Sequence, residues 1–348
     1  MDLVTDVLSG KRLALARLLT LVENQSPQGQ AALDQLFSHT GRAHLIGITG
    51  SPGAGKSSLV NHLAKAFRSP LDGTPPRTVG IVAIDPSSPF TGGAVLGDRV
   101  RMRDLAGDPG VFIRSMASRG ALGGLARTTA AVVQALDAAG YDLIMIETVG
   151  AGQAEVDIAK LAHTTVVVEA PGMGDDIQAI KAGILEIADI LVINKADRPG
   201  VENTERTLRA MLEIGYNHSS GHHFRENTDD RAESTDSAEV QAESLGWTPP
   251  VLKTIAIKPQ GIAELAQAVE AHAAFLHESG EWQARERVRL QSELDQLIQA
   301  VLVDRWRAGL DEQNYHEILN RLTAREISPH QAAHGLIDMG NAPMSSQK

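Results

Sequence analysis

Residues 50–57 read Gly-Ser-Pro-Gly-Ala-Gly-Lys-Ser, and no other stretch constrains the chain as tightly. The spacing is G-x-x-x-x-G-K-[ST], in which glycines let several backbone N–H groups converge on phosphate oxygens. The apolar run 45–49 precedes it, and Ser58-Leu59-Val60-Asn61 follows with the pattern of an opening helix. A strand that ends in such a loop hands over to a helix whose N-terminal partial charge favours the same phosphates. The candidate phosphate-binding residues are Gly50, Ser51, Pro52, Gly53, Ala54, Gly55, Lys56, Ser57 and Ser58. Lys56 is expected on the β- and γ-phosphates, as a catalytic cation, and the Ser57 hydroxyl on Mg2+.

Strand and helix patterns alternate beyond this loop. Residues 79–84, 111–113, 143–146, 165–168, 190–193 and 251–257 are short runs rich in Val, Ile and Leu. They are near-continuous rather than alternating, as parallel strands covered on both faces are. Residues 122–139 and 178–188 have helical character. The expected fold class is α/β, a doubly wound and mostly parallel sheet. Ahead of it, residues 11–23 place Leu15, Leu18, Leu19 and Val22 on one helical stripe, and 31–37 reads as a second short helix. After Pro259 the chain turns helical again. Leu290, Leu294, Leu297 and Val301 follow a 4-3-4 spacing, a seam that can pack on the parent domain or pair two subunits. The expected organisation is an N-terminal helical segment at 1–42, a nucleotide-binding domain at 43–278 and a C-terminal helical arm at 279–348. Residues 217–244 are polar and almost devoid of large apolar side chains, and are expected to form a mobile surface insertion. Its His218, His222 and His223 read as residues of an exposed loop rather than as a metal site.

Composition removes other classes. With 348 residues, 43% of them hydrophobic, the chain can bury one large core. A formal net charge of -11 excludes the basic footprint that nucleic acid needs and suits an anionic membrane poorly. No apolar run approaches the roughly 20 residues of a membrane span. The absence of cysteine rules out disulfides, thiolate metal sites and a cysteine nucleophile. The N-terminal residues lack a basic stretch followed by a long apolar one, so a cytoplasmic protein is expected.

Further motifs sort the nucleotide. Asn194-Lys195-Ala196-Asp197 closes the run 190–193 and fits N-K-x-D. The Asp197 carboxylate can accept from the N1–H and exocyclic amine of guanine. Adenine offers neither donor in that arrangement and leaves the charge unpaired. Glu147-Thr148-Val149-Gly150 closes the run 143–146 and fits [DE]-x-x-G. Glu147 is expected at the Mg2+ shell, as metal ligand and catalytic group, and the Gly150 amide at the γ-phosphate. Asp85, at the end of 79–84, and Asp98, after Thr91-Gly92-Gly93, can supply further oxygen ligands to Mg2+, and Asp98 is expected, like Lys56 and Glu147, to be catalytic.

The chain resembles the MeaB/ArgK-type G-protein chaperones of adenosylcobalamin-dependent acyl-CoA mutases, a family that includes the human methylmalonic aciduria type A protein. Beyond the motifs above, the resemblance is carried by Asp85-Pro86-Ser87-Ser88, Leu96-Gly97-Asp98-Arg99 and residues 114–120 (Arg-Ser-Met-Ala-Ser-Arg-Gly). It continues through Glu147–Gln153, Pro171–Gln178 and Lys181-Ala182-Gly183-Ile184. It implies a homodimeric GTPase of slow intrinsic turnover that protects a mutase and gates its cobalamin loading. It places Lys56, Ser57, Asp85, Asp98 and Glu147 on nucleotide and metal positions. It also makes residues 169–181 a switch that contacts the partner, with Gln178 and Lys181 as its coupling residues. The implied cofactors are Mg2+ and bound GTP or GDP. The implied partners are the mutase, a second copy of the chain and a cobalamin adenosyltransferase, and the helix after Trp282 becomes the dimerisation arm.

One departure lies at the base. The guanine-proximal loop, usually T-S-A, is here Thr254-Ile255-Ala256, so a serine hydroxyl is missing while the Ala256 amide can still reach a base oxygen. Two other classes stand beside the GTPase: an ATP-dependent kinase of a transport protein, against which Asp197 argues, and a nickel or cobalt insertion GTPase, disfavoured by the lack of cysteine.

Overall fold

The computed structural model describes residues 2–70, 73–86, 102–118, 124–148, 160–172, 187–218 and 246–340. The described chain divides into two compact units, Met1–Arg289 and Leu290–Lys348.

The first unit is built on a seven-stranded sheet in which every pairing is parallel. Its strands are β1 (His44–Gly50), β2 (Val79–Pro86), β3 (Val111–Ser118), β4 (Leu143–Glu147), β5 (Thr164–Glu169), β6 (Ile190–Asn194) and β7 (Val251–Thr254). Their spatial order is β3-β2-β4-β1-β5-β6-β7, which puts β1 at the centre. The near-continuous apolar runs have a simple cause. In β4, Ile144 and Ile146 join one core cluster while Leu143 and Met145 join the other, so alternate side chains go to opposite faces and both faces are dry.

On one face lie α1 (Leu3–Leu8), α2 (Arg12–Glu23), α3 (Pro27–Leu36) and α5 (Gly124–Ala138). Val4, Leu15, Leu18, Leu33 and Leu136 share a cluster there with Val82 and Ile144, so residues 1–42 and the sheet have one continuous core. The helix expected at 31–37 begins at Pro27, because Ser26 caps it by accepting from the Gly29 amide and proline suits the first helical position. On the other face lie α4 (Lys56–Arg68) and α7 (Ile262–Ser279), packed on Ile46, Ile81, Met145 and Val168. The helix α6 (Val201–His218) covers Leu191 and Ile193.

The strand expected at 251–257 ends early. Thr254 is the register partner of Asn194, the last residue of β6, so beyond it no neighbour offers ladder bonds. Residues 255–260 instead close on themselves: the Ile255 amide donates to the Gln260 carbonyl, and Ile257 is 76% exposed. The region 111–113 extends to Ser118 by pairing with β2 along its whole length.

The helix α8 (Glu281–Ala308) begins in the first unit and ends in the second. The second unit also holds α9 (Glu312–Thr323) and α10 (Pro329–Gly340). Its small core joins Ile318, Ala332 and Leu336 with Trp306, Leu310, Leu322 and Ile327. Among the described residues, no helix is long and apolar enough to cross a membrane. The polar stretch 219–245, with His222 and His223, lies outside the described residues.

Candidate functional site

Ligands of open parallel sheets bind beyond the carboxyl ends of the strands. The candidate residues gather there, behind β1, β4, β6 and β7.

The loop after β1 is shaped by three glycines with positive φ: Gly50 (125°), Gly53 (76°) and Gly55 (95°). A Cβ on Gly50 would lie 2.0 Å from the Val168 carbonyl oxygen of β5, and one on Gly55 would lie 2.5 Å from Asn194 Nδ2. Both positions need glycine for space as well as for conformation. Gly55 caps α4, whose first amides have no intrahelical acceptor, and a helix end of this kind favours an anion. Lys56 is 5% exposed, and its ammonium donates to the carbonyls of Gly50 (2.7 Å) and Ser51 (3.0 Å). The cation is thus folded over the loop that it is expected to serve.

The residues expected to read the base are tied to that loop by hydrogen bonds. Asn194 Nδ2 donates to the Ala54 carbonyl at 2.8 Å, while its Oδ1 accepts from the Thr254 hydroxyl and the Ala256 amide, both at 3.1 Å. One buried side chain therefore joins β1's loop to the turns after β6 and β7. Lys195 adopts a left-handed conformation, φ 57°, and donates to the Gly53 carbonyl at 2.5 Å. Asp197 sits in the exposed turn that follows. The Ala256 amide, expected to face a base oxygen, is engaged by Asn194, and the Ile255 amide by Gln260.

At the far side of the loop, Ser57 Oγ donates to Glu147 Oε1 at 2.6 Å, and both residues are buried. A hydroxyl and a carboxylate are the hard oxygen donors that Mg2+ prefers, so this pair fits that ion. Glu147, the last residue of β4, is in register with Ala83 of β2, and β2 runs on past it to Pro86, so Asp85 follows two residues beyond the end of β4. Asp98, Gly150, Gln178, Lys181 and the side chain of Asp85 lie outside the described residues. Among the described residues, no group of three or more His, Cys, Asp or Glu side chains is placed to hold a metal ion.

The sequence patterns left out one contact. Glu169, the last residue of β5, accepts a 2.7 Å hydrogen bond from Ser51 Oγ and is only 3% exposed. Its signal in the sequence is a lone carboxylate that closes an otherwise uncharged buried strand, Thr-Thr-Val-Val-Val-Glu.

The chain is similar to known proteins along nearly all of its length. A putative GTPase of Pyrococcus abyssi is 43% identical over 332 residues, covering 95% of this chain and 94% of its own. The GTPase ArgK of Escherichia coli is 36% identical over 322 residues, with 91% and 84% covered. A mitochondrial methylmalonic aciduria type A homolog of Caenorhabditis elegans is 30% identical over 304 residues, with 83% and 69% covered. A crystal structure of an LAO/AO transport system kinase superposes with a TM-score of 0.64 at 25% identity, covering 98% of this chain and 97% of that one. The sequence model of the family described as Methylmalonyl Co-A mutase-associated GTPase MeaB matches residues 15–311. With that match over most of its length, and relatives above 30% identity along nearly all of it, the chain belongs to the MeaB family of P-loop GTPases.

Proposed function

We propose that this protein binds and hydrolyses GTP, and that its nucleotide state governs its hold on an adenosylcobalamin-dependent acyl-CoA mutase, which it protects and whose cofactor loading it gates. The observation that carries the guanine reading is Asn194. It bonds the phosphate loop at Ala54 and the base-side loop at Thr254 and Ala256, which supports a base reader at Asp197, three residues further along.

Lys56 exchanges the Gly50 and Ser51 carbonyls for phosphate oxygens when nucleotide enters, and the open amides of α4 take the remaining charge. Ser57 and Glu147, which already share a hydrogen bond, would with Asp85 and Asp98 hold Mg2+, which when bound would offset phosphate charge. Gly150 senses the γ-phosphate, and Gln178 and Lys181 pass its presence to the mutase. In the sequence no glutamine stands next to Gly150 to orient the attacking water, Gln153 lying three residues beyond it, so turnover is expected to be slow until the partner orders the switch. The working form is a cytoplasmic homodimer, and a cobalamin adenosyltransferase is a further partner.

The resemblance to a protein named as a transport system kinase keeps one rival in view, an enzyme that takes ATP and transfers its phosphate to protein. Equilibrium titration with GDP and ADP decides between them. GDP is expected to bind at least about a hundredfold more tightly, and Asp197→Asn to abolish the preference. Equal affinity for both bases would sink the guanine reading. Co-purification with a cobalamin-dependent mutase in the presence of a non-hydrolysable GTP analogue tests the chaperone reading, and no retention in any nucleotide state would end it.

A further inference from the structure

The helix α10 starts at a defined residue. The Gln331 amide donates to the Ser328 hydroxyl at 3.2 Å, and the Ser328 amide donates back to Gln331 Oε1 at 2.9 Å. This reciprocal pair is a capping box, and Pro329 suits the first helical position between them. The inner face of the helix is anchored as well. Ala332 and Leu336 are buried in one cluster with Ile318, and the Leu336 carbonyl accepts from the Trp306 indole. The backbone that carries His330 and His334 is therefore held at its start and along its inner side.

Those two histidines lie four residues apart on the outer side, and both are exposed. Packing does not require histidine at either position. Cβ atoms at this spacing on a helix are roughly 5–6 Å apart. The ring centroids are only 4.5 Å apart, so the imidazoles lean together. Among the described residues neither ring has a hydrogen bond or an ion pair that would draw it there. Two imidazoles on one tetrahedral ion, each nitrogen about 2.0–2.1 Å from the metal, keep their centroids roughly 5 Å apart. A small rotation of the rings supplies the difference. Asp338, one turn beyond His334 and also exposed, adds negative charge on the same side. The start of a helix repels a cation, but that screened effect is small beside two coordinate bonds.

We propose that His330 and His334 form a two-nitrogen clamp for a borderline divalent transition cation, of the class of Cu2+, Ni2+ or Zn2+, with water in its remaining positions. Imidazole nitrogen suits these ions, whereas Mg2+ prefers oxygen, so the clamp is chemically separate from the Ser57–Glu147 pair. Two protein ligands leave the ion open to exchange, unlike the four of a closed structural site. The clamp closes only when residues 330 and 334 stand on adjacent helical turns, so the bound ion stabilises α10. The site is independent of the nucleotide reading and stands or falls apart from it.

The test uses the full chain, free of nucleotide and with Mg2+ in excess, as wild type, His330→Gln and His334→Gln. Each is titrated with Cu2+ and with Ni2+, and hydrogen exchange over residues 329–338 is followed with and without the ion. Wild type is expected to bind one ion that slows exchange over this segment, with Cu2+ held more tightly than Ni2+. Either substitution is expected to remove the protection and to weaken that binding at least about tenfold, the loss that even an outer-shell change at a metal site brings. Exchange over residues 312–323 in the metal-free variants, equal to that of wild type, shows that the fold is kept. Protection of 329–338 that persists in both variants overturns the clamp. Ion uptake by wild type that leaves exchange over 329–338 unchanged also overturns it, and marks an adventitious ion only.

Discussion

At the scale of single residues, the site is a set of positions at which one side-chain type solves a packing and a conformational problem together. Gly55 is the clearest. An alanine there must hold φ at 95° and push its methyl group against Asn194 Nδ2, at 2.5 Å. The strain is about 1–3 kcal/mol, so Gly55→Ala is expected to weaken GDP binding by about tenfold or more while circular dichroism stays native. Unchanged affinity in isothermal titration would mean that the loop does not take up this conformation when it binds. Asn194→Ala strands three buried partners, the Ala54 carbonyl, the Thr254 hydroxyl and the Ala256 amide. Each costs about 1–3 kcal/mol unsatisfied, and the melting temperature is expected to fall by more than about 5 °C along with nucleotide affinity. These residues were legible in the sequence because each belongs to a short motif of fixed spacing. The bond between Glu169 and Ser51 was not, although the resemblance had put residue 169 at the start of a switch, because it depends on β5 lying beside β1, a long-range fact that no local spacing encodes. The engagement of the Ala256 amide by Asn194 was hidden for the same reason.

At the scale of elements, the end of the sheet opposite the phosphate loop holds a buried polar network that ties α7 and α8 to the strands. Asp189, just before β6, accepts from the Thr165 amide and from both terminal nitrogens of Arg285 in α8, at 2.8 to 2.9 Å. Burial alone would raise its carboxyl, but the approach of His272 and the fork of Arg285 outweigh it and hold it at about 2. His272 Nε2 lies 3.3 Å from Asp189 Oδ1 without hydrogen-bond alignment, so Arg285 is the firmer partner. Removing it in Arg285→Ala leaves a buried charge poorly paired and is expected to cost about 3–5 kcal/mol in urea unfolding. A cost under about 1 kcal/mol would mean that water replaces the guanidinium. His163 accepts from the Leu45 amide on Nδ1, which fixes the proton on Nε2, facing Glu286 of α8 at 3.2 Å. Its ring stacks on Trp282, which stacks in turn on His277. Burial pushes both His44 and His163 down, and for His44 the neighbouring His163 adds to the effect. The unfolded chain therefore binds more protons than the folded one below the ordinary histidine value of about 6.5. That share of stability is complete above this pH and is lost as pH falls below it. Glu286, held at about 2 by His163 and Arg289 against the effect of burial, and Asp189 keep their contribution until pH falls below about 4. Melting temperature is expected to drop between pH 7 and 5, and His44→Gln to flatten that drop. A melting temperature constant over this range would refute the assignment. The elements themselves were largely legible, because parallel strands dry on both faces advertise themselves as apolar runs. What misled was the edge: 251–257 looks like a full strand until one sees that β6 ends at Asn194. The histidine network left no trace in the sequence, since its members are spread from residue 44 to residue 286 and no two share a motif.

At the scale of the whole molecule, the unit Leu290–Lys348 is too small to stand on its own core. Among the described residues, its buried apolar side chains are Ile318, Ala332 and Leu336, and the cluster around them includes Trp306 of α8, whose indole donates to the Leu336 carbonyl at 3.1 Å. Further up α8, Leu294 (56% exposed), Ile298, Val301 and Leu302 (59% exposed) recur at intervals of three and four residues. They form a single apolar stripe with nothing over it in the described chain. A helix presenting such a stripe at a spacing suited to interlocking side chains gains from a second apolar helix, and a second copy of this chain supplies an identical one. The heptad-like seam read in the sequence overlaps this stripe at Leu294 and Val301, which makes the homodimer the economical expectation. Sedimentation equilibrium at micromolar concentration is expected to give the mass of a dimer. Leu294→Glu combined with Val301→Glu is expected to give a monomer, because two buried carboxylates facing their symmetry mates oppose association. GDP affinity should not change in that variant, since both positions belong to the second unit and the phosphate loop to the first. A wild-type monomer across this range, or a double variant that still sediments as a dimer, would show that the stripe serves another contact. Loss of GDP binding in the monomer would be more informative still, because it would mean that pairing of two copies completes the nucleotide site.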